Sequence, residues 1–204
     1  SAEGYGPNKV AAEQVLLDSG HPVTVLRPSK VHGAWSRRPR EWVFVKRVLD
    51  RREVVLLARG GKGADHPSAA QNVAALIDVV AAHPGRRILN IADPDCPDGR
   101  TIASVVADHL GHAWEEVLLG PADAPGLGAH PWDSLPPVVL DCGAARRLGY
   151  EPVGDYATTV TDELDWLVAC AHDERGRHLL PSVDDPFFAP MCDYGREDDF
   201  LARR

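Results

Sequence analysis

Apolar residues follow two rhythms along this chain. Short unbroken runs (VTVL at 23–26, EVVLLA at 53–58, RILNI at 87–91) are bounded by Pro, Gly or charged residues, as buried strands are. Between them apolar positions recur at i, i+3, i+4 and i+7, the period of an amphipathic helix. Residues 5–19 read as the first helix, with Pro7 in its first turn and Gly20 as its C-cap. Trp42, Val45, Val48 and Leu49 mark a second. Ser68 and Gln71 read as a capping box opening a third, with Val73, Leu76, Ile77 and Val80 on its apolar face and Pro84-Gly85 as its stop. Thr101 reads as the cap of a fourth, with Ile102, Val105, Val106 and Leu110 on one side. HAWEEVLL at 112–119 reads as a strand. Asp141 caps a short helix that Gly149 ends, and Val160, Leu164, Leu167, Val168 and Ala171 stripe a long last one. Helices alternating with apolar strands predict an α/β fold with a parallel sheet.

The segments between are equally informative. Residues 33–40 form a basic loop, 59–67 a Gly-rich turn, and 120–137 a Gly- and Pro-rich loop. From Asp173 the chain turns irregular and acidic, yet it keeps Phe187, Phe188, Tyr194 and Phe200, which predicts a tail docked on the body. The organisation expected is a body over 1–172 and a docked tail over 173–204.

Composition narrows the function classes. The chain has 204 residues, 44% hydrophobic and 25% charged, enough for a sizeable core. A net charge of −8 argues against nucleic acid or an anionic membrane as partner. There is no apolar run long enough to span a bilayer. Cys96, Cys142, Cys170 and Cys192 form no CxxC pair, so free thiols and a cytoplasmic location are expected. The nine histidines form no HExxH or zinc spacing, so no metal is expected.

Tyr5 and Lys9 stand four apart, on one face of the first helix. An ammonium near a phenol favours the phenolate, although a solvated helix face with no chemistry gives the same spacing. No GxGxxG heads a strand–helix unit, and GGKG at 60–63 does not continue as a phosphate-binding loop. Arg37, Arg38 and Arg40 could clamp a phosphate or carboxylate, or be a solvated loop. Asp162, Glu163 and Asp165 read as the polar face of the last helix, and His66 reads as structural.

With these residues in view, YGPNKVAAEQVLLDSGHPVTVLRPSKVHG resembles the active-site segment of the extended short-chain dehydrogenase/reductases, the NAD-dependent epimerase/dehydratase family. That family reads Tyr-x-x-x-Lys, a small-residue helix ending in Gly, a strand, then Leu-Arg-Pro-x-x-Val-Tyr-Gly. Leu26, Arg27, Pro28, Val31 and Gly33 match; His32 replaces the usual tyrosine. HPSAAQNVAALIDVV, RILNIAD and LDCGAARRLGYEP followed by DELDWL resemble its later signatures, so the likeness runs over residues 4–170.

The resemblance implies the late strands of a Rossmann-type parallel sheet plus a small α/β substrate-binding lobe. It implies NAD or NADP as cofactor, Tyr5 as general acid/base, and Lys9 holding the nicotinamide ribose hydroxyls. Pro28, Ser29 and Val31 would line the nicotinamide. Beside that loop His32 could touch substrate, with a packed histidine the preferred reading, and Arg38 and Arg40 are the basic-loop candidates for substrate contact. It further implies an intact protein that oxidises, epimerises or dehydrates a hydroxylated or carbonyl small molecule, with a slight preference for a reductase. The partners expected are that substrate, a missing N-terminal half bearing the phosphate-binding glycines, and a second copy in a homodimer. On that reading the chain alone is inactive. The family's upstream active-site Ser or Thr is not placed on Ser1. The alternative is a non-catalytic regulator or binding protein that keeps the fold.

Overall fold

The computed structural model describes residues 4–120, 123, 125–182 and 184–204; Ser1 and parts of the 120–137 loop lie outside them. The chain opens with α1 (Tyr5–Leu17), closed by Asp18, after which Gly20, at φ +80°, turns it toward β1 (Thr24–Pro28). β1 pairs in parallel with β5 (Arg87–Ile91), Leu26 opposite Leu89. Two more parallel pairs follow the same alternation. β2 (Val31–His32) lies beside β4 (Ser68–Ala69), and β3 (Val54–Leu57) beside β6 (Glu115–Leu118). The mixed α/β architecture with parallel strands is the one the sequence predicts. The described strands form three short pairs in place of one continuous sheet.

The helices between them are α2 (Trp42–Leu49), α3 (Ala70–Ala82), α4 (Gly99–His109) and α5 (Gly143–Arg146). α6 (Tyr156–Thr159), α7 (Thr161–His172) and α8 (Tyr194–Leu201) complete the set. The largest core forms where α2, α4 and α7 meet β3: Phe44, Val45, Val55, Ile102, Val106, Leu164 and Leu167 are buried there. Each such side chain withdrawn from water contributes roughly 1.5–3 kcal/mol, so this lobe holds most of the packing energy. A smaller core joins Leu76 of α3 to Leu89 and Ile91 of β5 and to Tyr150. The tail lies against the large core through Phe188, with Phe187, Met191 and Cys192 beside it. Buried Arg47 of α2 pairs with Glu197 of α8 and donates to the Met191 carbonyl at 2.7 Å.

Several local expectations are corrected. Ser68 is not a helix cap: its hydroxyl donates to the Ile91 carbonyl at 2.9 Å and accepts the Ser29 N–H at 3.1 Å, so it joins β4 to its neighbours and α3 starts at Ala70. The cap of α4 is Asp98, which accepts both the N–H and the hydroxyl of Thr101. Asp141 accepts the Gly143 N–H at 2.7 Å from one residue before the cap position, which is Cys142. The last predicted helix is divided at Val160: Asp155 caps the Thr158 N–H at the start of the one-turn α6, and α7 begins at Thr161. Ile77 is half exposed, so the inner face of α3 is narrower than its apolar pattern suggests.

Candidate functional site

The Tyr5 and Lys9 side chains share a face of α1. Lys9 Nζ lies 5.4 Å from the centre of the Tyr5 ring, and Tyr5 is 81% exposed. Lys9 forms no ion pair among the described residues, so its three donors are open. β1 runs back from the end of α1, and Glu13 of α1 pairs with Arg27 of β1. Pro28 and Ser29 follow at the end of β1, and the Ser68 hydroxyl fixes the Ser29 N–H. Pro28 and Val31 are exposed. Lys30, at φ +40°, reaches across to the Pro131 carbonyl at 3.0 Å. The structure therefore places an open phenol–ammonium pair on the helix that leads into β1, and an apolar, backbone-pinned turn at the end of β1.

The three remaining candidates divide. Arg40 donates to the Val31 carbonyl at 3.2 Å and so braces the turn after β1. Arg38 lies over the Phe187 ring, 5.8 Å from its centre. His32 takes the packed position: it is 2% exposed. Its Nε2 lies 2.8 Å from Asp93 Oδ2, and its ring packs 5.1 Å from that of Tyr156. A side chain shorter and more polar than the family's tyrosine has been drawn inward to a carboxylate.

That carboxylate is the centre of a buried network the sequence does not announce. Asp93 Oδ1 accepts the Ala69 N–H at 2.6 Å and the Asn72 amide at 2.8 Å. Its backbone carbonyl lies 2.9 Å from His66 Nε2. Beside it, the Tyr156 hydroxyl donates to Glu41 Oε1 at 3.2 Å, and the Gly33 N–H donates to Glu163 Oε2. Burial holds the Tyr156 phenol protonated, well above its ordinary range. Glu163, read as part of a polar face, is fully buried. The signal was there: with Val160, Leu164 and Leu167 it falls at i, i+3, i+4 and i+7 of one stripe.

A separate cleft of about 830 Å³ opens beside β6 and α8, where Leu119, Leu127 and Phe200 meet the cations Arg196, Arg203 and Arg204 and the acids Asp123 and Asp199. It adjoins a second of about 920 Å³ that carries Arg59 and Lys62. Guanidinium groups around an apolar floor suit a phosphate-bearing ligand with a flat or apolar body.

No protein-family profile matches the sequence, and no curated protein matches it significantly. Solved structures do match. The Bordetella bronchiseptica enzyme WbmG, in complex with NAD and UDP, aligns at a TM-score of 0.62 and 23% identity, over 81% of this chain and 49% of that one. DesIV, a dTDP-glucose 4,6-dehydratase from Streptomyces venezuelae solved with NAD, aligns at 0.60 and 20% identity, over 84% and 51%. The Thermus thermophilus UDP-glucose 4-epimerase in complex with NAD aligns at 0.56 and 17%, over 79% and 51%. At these identities the likeness establishes the fold, and the chain spans about half the length of the structures it matches. No helix among the described residues is long and apolar enough to cross a membrane. The chain thus has the α/β fold of roughly half of an NAD-dependent epimerase or dehydratase.

Proposed function

We propose that the intact protein is an NAD-dependent epimerase, dehydratase or reductase whose substrate is a hydroxylated or carbonyl small molecule. Within that class, a sugar nucleotide is the substrate we favour. The observation that carries the reading is the open Tyr5–Lys9 pair on the helix preceding β1, within a fold shared with enzymes of this chemistry. The residues fit an NAD nicotinamide end. Lys9 has unpaired donors for ribose hydroxyls, and exposed Pro28 and Val31 offer apolar surface to a flat ring. When bound, NAD supplies the hydride acceptor. The chain's own part is proton transfer and positioning. Tyr5 Oη, as the phenolate that the Lys9 charge favours, takes the proton of the substrate hydroxyl as the carbinol carbon is oxidised, holds it as the neutral phenol, and returns it on reduction. Ser68 and Arg40 hold the turn that places Pro28, Ser29 and Val31.

The slight preference for a reductase gives way to sugar-nucleotide chemistry because the fold is shared with WbmG, solved with UDP, and with a dTDP-glucose 4,6-dehydratase. The exposed face of α1 and the length of the matched structures support a further sheet-forming half packed against α1. That half would hold the pyrophosphate on a Gly-rich turn. The chain alone is then expected to bind NAD too weakly to measure, because a few nicotinamide contacts must offset an association cost of about 4–15 kcal/mol. The test is to incubate the intact protein with NAD and a panel of UDP and dTDP sugars and to analyse the products. An epimer or 4-keto sugar is the expected result. Absence of NAD binding by the intact protein would overturn the reading.

A further inference from the structure

The inner stripe of α7 carries one acid among its apolar residues. Glu163 is fully buried there, and it meets two other buried groups: Glu41, just before α2, and His32, at the end of β2. One donor atom from each of the three lies within 4.8 Å of the others. Donor atoms gathered that closely can surround a single ion bound at about 2.0–2.2 Å.

Each of the three is oriented from its far side. His32 Nε2 is taken by Asp93, which leaves Nδ1 for the group; that nitrogen has no hydrogen-bond partner although the ring is almost wholly buried. Glu163 Oε2 accepts the Gly33 N–H, which leaves Oε1 buried and unpartnered. Glu41 Oε1 accepts the Tyr156 hydroxyl. A carboxylate behind the histidine and hydrogen bonds behind both glutamates are how metal ligands are held and tuned.

Charge points the same way. Two carboxylates side by side in the interior cannot both stay ionised without a cation or a proton between them. A shared proton would join Glu163 to Glu41 and leave His32 Nδ1 unpaired. A divalent cation uses all three at once, and its two charges match the two carboxylates.

We propose that His32 Nδ1, Glu41 and Glu163 bind one divalent first-row cation, zinc fitting best, as a structural clamp on the basic loop 33–40. One imidazole with two carboxylates is a donor set zinc takes readily, and zinc stands high in the divalent affinity order. His32 and Glu41 bracket the loop carrying Arg37 and Arg38, and Glu163 ties both ends to α7. The ligands come from three distant segments, so no short-range spacing could announce them. The site does not depend on the proposed oxidoreductase function.

The test measures metal on the purified full chain, with no activity assay. About one zinc per chain should survive dialysis, be removed by a chelator with a fall in melting temperature, and be regained with recovery when zinc is restored. Glu163→Gln and His32→Ala should each weaken zinc binding at least about tenfold, and Asp93→Asn, acting through His32, by about 10–100-fold. A metal-free chain whose melting is unmoved by zinc would overturn the proposal. So would zinc binding that Glu163→Gln leaves unchanged, since that marks an adventitious surface site. Glu163→Gln also separates the two fillings: an amide mimics a protonated acid, so a proton-filled cluster melts like wild type in that variant.

Discussion

Helices α1 and α2 stand at opposite extremes of burial. α1 has 13 residues and buries none of them; α2 has 8 and buries Trp42, Val43, Phe44, Val45 and Arg47. Apolar residues are present in both, but Val10, Val15 and Leu16 of α1 face solvent. An isolated helix of this length is marginal in water, and the exposed Glu13–Arg27 pair adds little. α1 is therefore not placed by packing within the described chain, whereas α2 is placed by almost nothing else. The contrast separates two kinds of information in the sequence. Residues on α2 specify the fold. Tyr5 and Lys9 on α1 contribute nothing to the core, so their pairing is free to serve chemistry and partners.

The largest effect should come from the exposed helix, and in rate alone. Tyr5→Phe in the intact protein is expected to lower turnover about 10²–10⁴-fold, the usual loss for a general acid/base. Melting temperature should hold, because the ring is kept and only its hydroxyl is lost, and in this chain that ring supports no core. Undiminished turnover in this variant would remove Tyr5 from the mechanism. On the packed side the expected effect is in stability alone. Leu164→Ala, at a position with no exposure, should cost about 2–5 kcal/mol by denaturant unfolding. A cost below about 1 kcal/mol would show the α2–α4–α7 core to be loosely packed.

The same division governs what could be read without a structure. Strand and helix positions followed largely from period, since most elements bury one face against a core. The α/β alternation followed with them. Caps were less legible: Ser68 and Thr101 are good cap residues by type, yet the Ile91 carbonyl, brought up by tertiary approach, claims the first, and Asp98, three residues upstream, is a competing cap of equally good type that caps the second's helix. The Tyr5–Lys9 pair was legible because a helix fixes i,i+4 neighbours. The His32–Asp93 pair and the Glu41–Glu163 juxtaposition were not, since strand and helix ends far apart in sequence bring them together. Glu163 was the exception, betrayed by its place in an apolar stripe.

The well-packed lobe should also lose stability in acid, through a histidine. His130 is 4% exposed, and burial lowers its pKa from 6.5 to about 4. Between those values the unfolded chain binds a proton that the folded chain refuses. Stability contributed by neutral His130 is thus complete above about 6.5 and is lost as pH falls toward about 4. The full loss is roughly 3 kcal/mol at 1.36 kcal/mol per pH unit. Urea unfolding at pH 7 and pH 4.5 should show it, and His130→Phe should flatten the slope. An equal slope in the variant would assign the acid sensitivity to other groups.

The smallest effect is the most discriminating for the comparison. Val15 of α1 is 72% exposed, so Val15→Ala removes methyl groups that already lie in water. In the 204-residue chain the change should fall within about 0.5 kcal/mol of zero. Any residual effect should be favourable, because alanine is the better helix former. In the intact protein, a covering half packed on α1 would bury those methyls, and their loss should then cost on the order of 1–2 kcal/mol at about 0.8 kcal/mol per buried carbon. Paired denaturation curves on the two proteins measure the difference directly. If Val15→Ala is neutral in both, that face of α1 stays open and the partner must approach elsewhere. If it is costly in both, α1 is packed already within this chain, and the contrast with α2 fails.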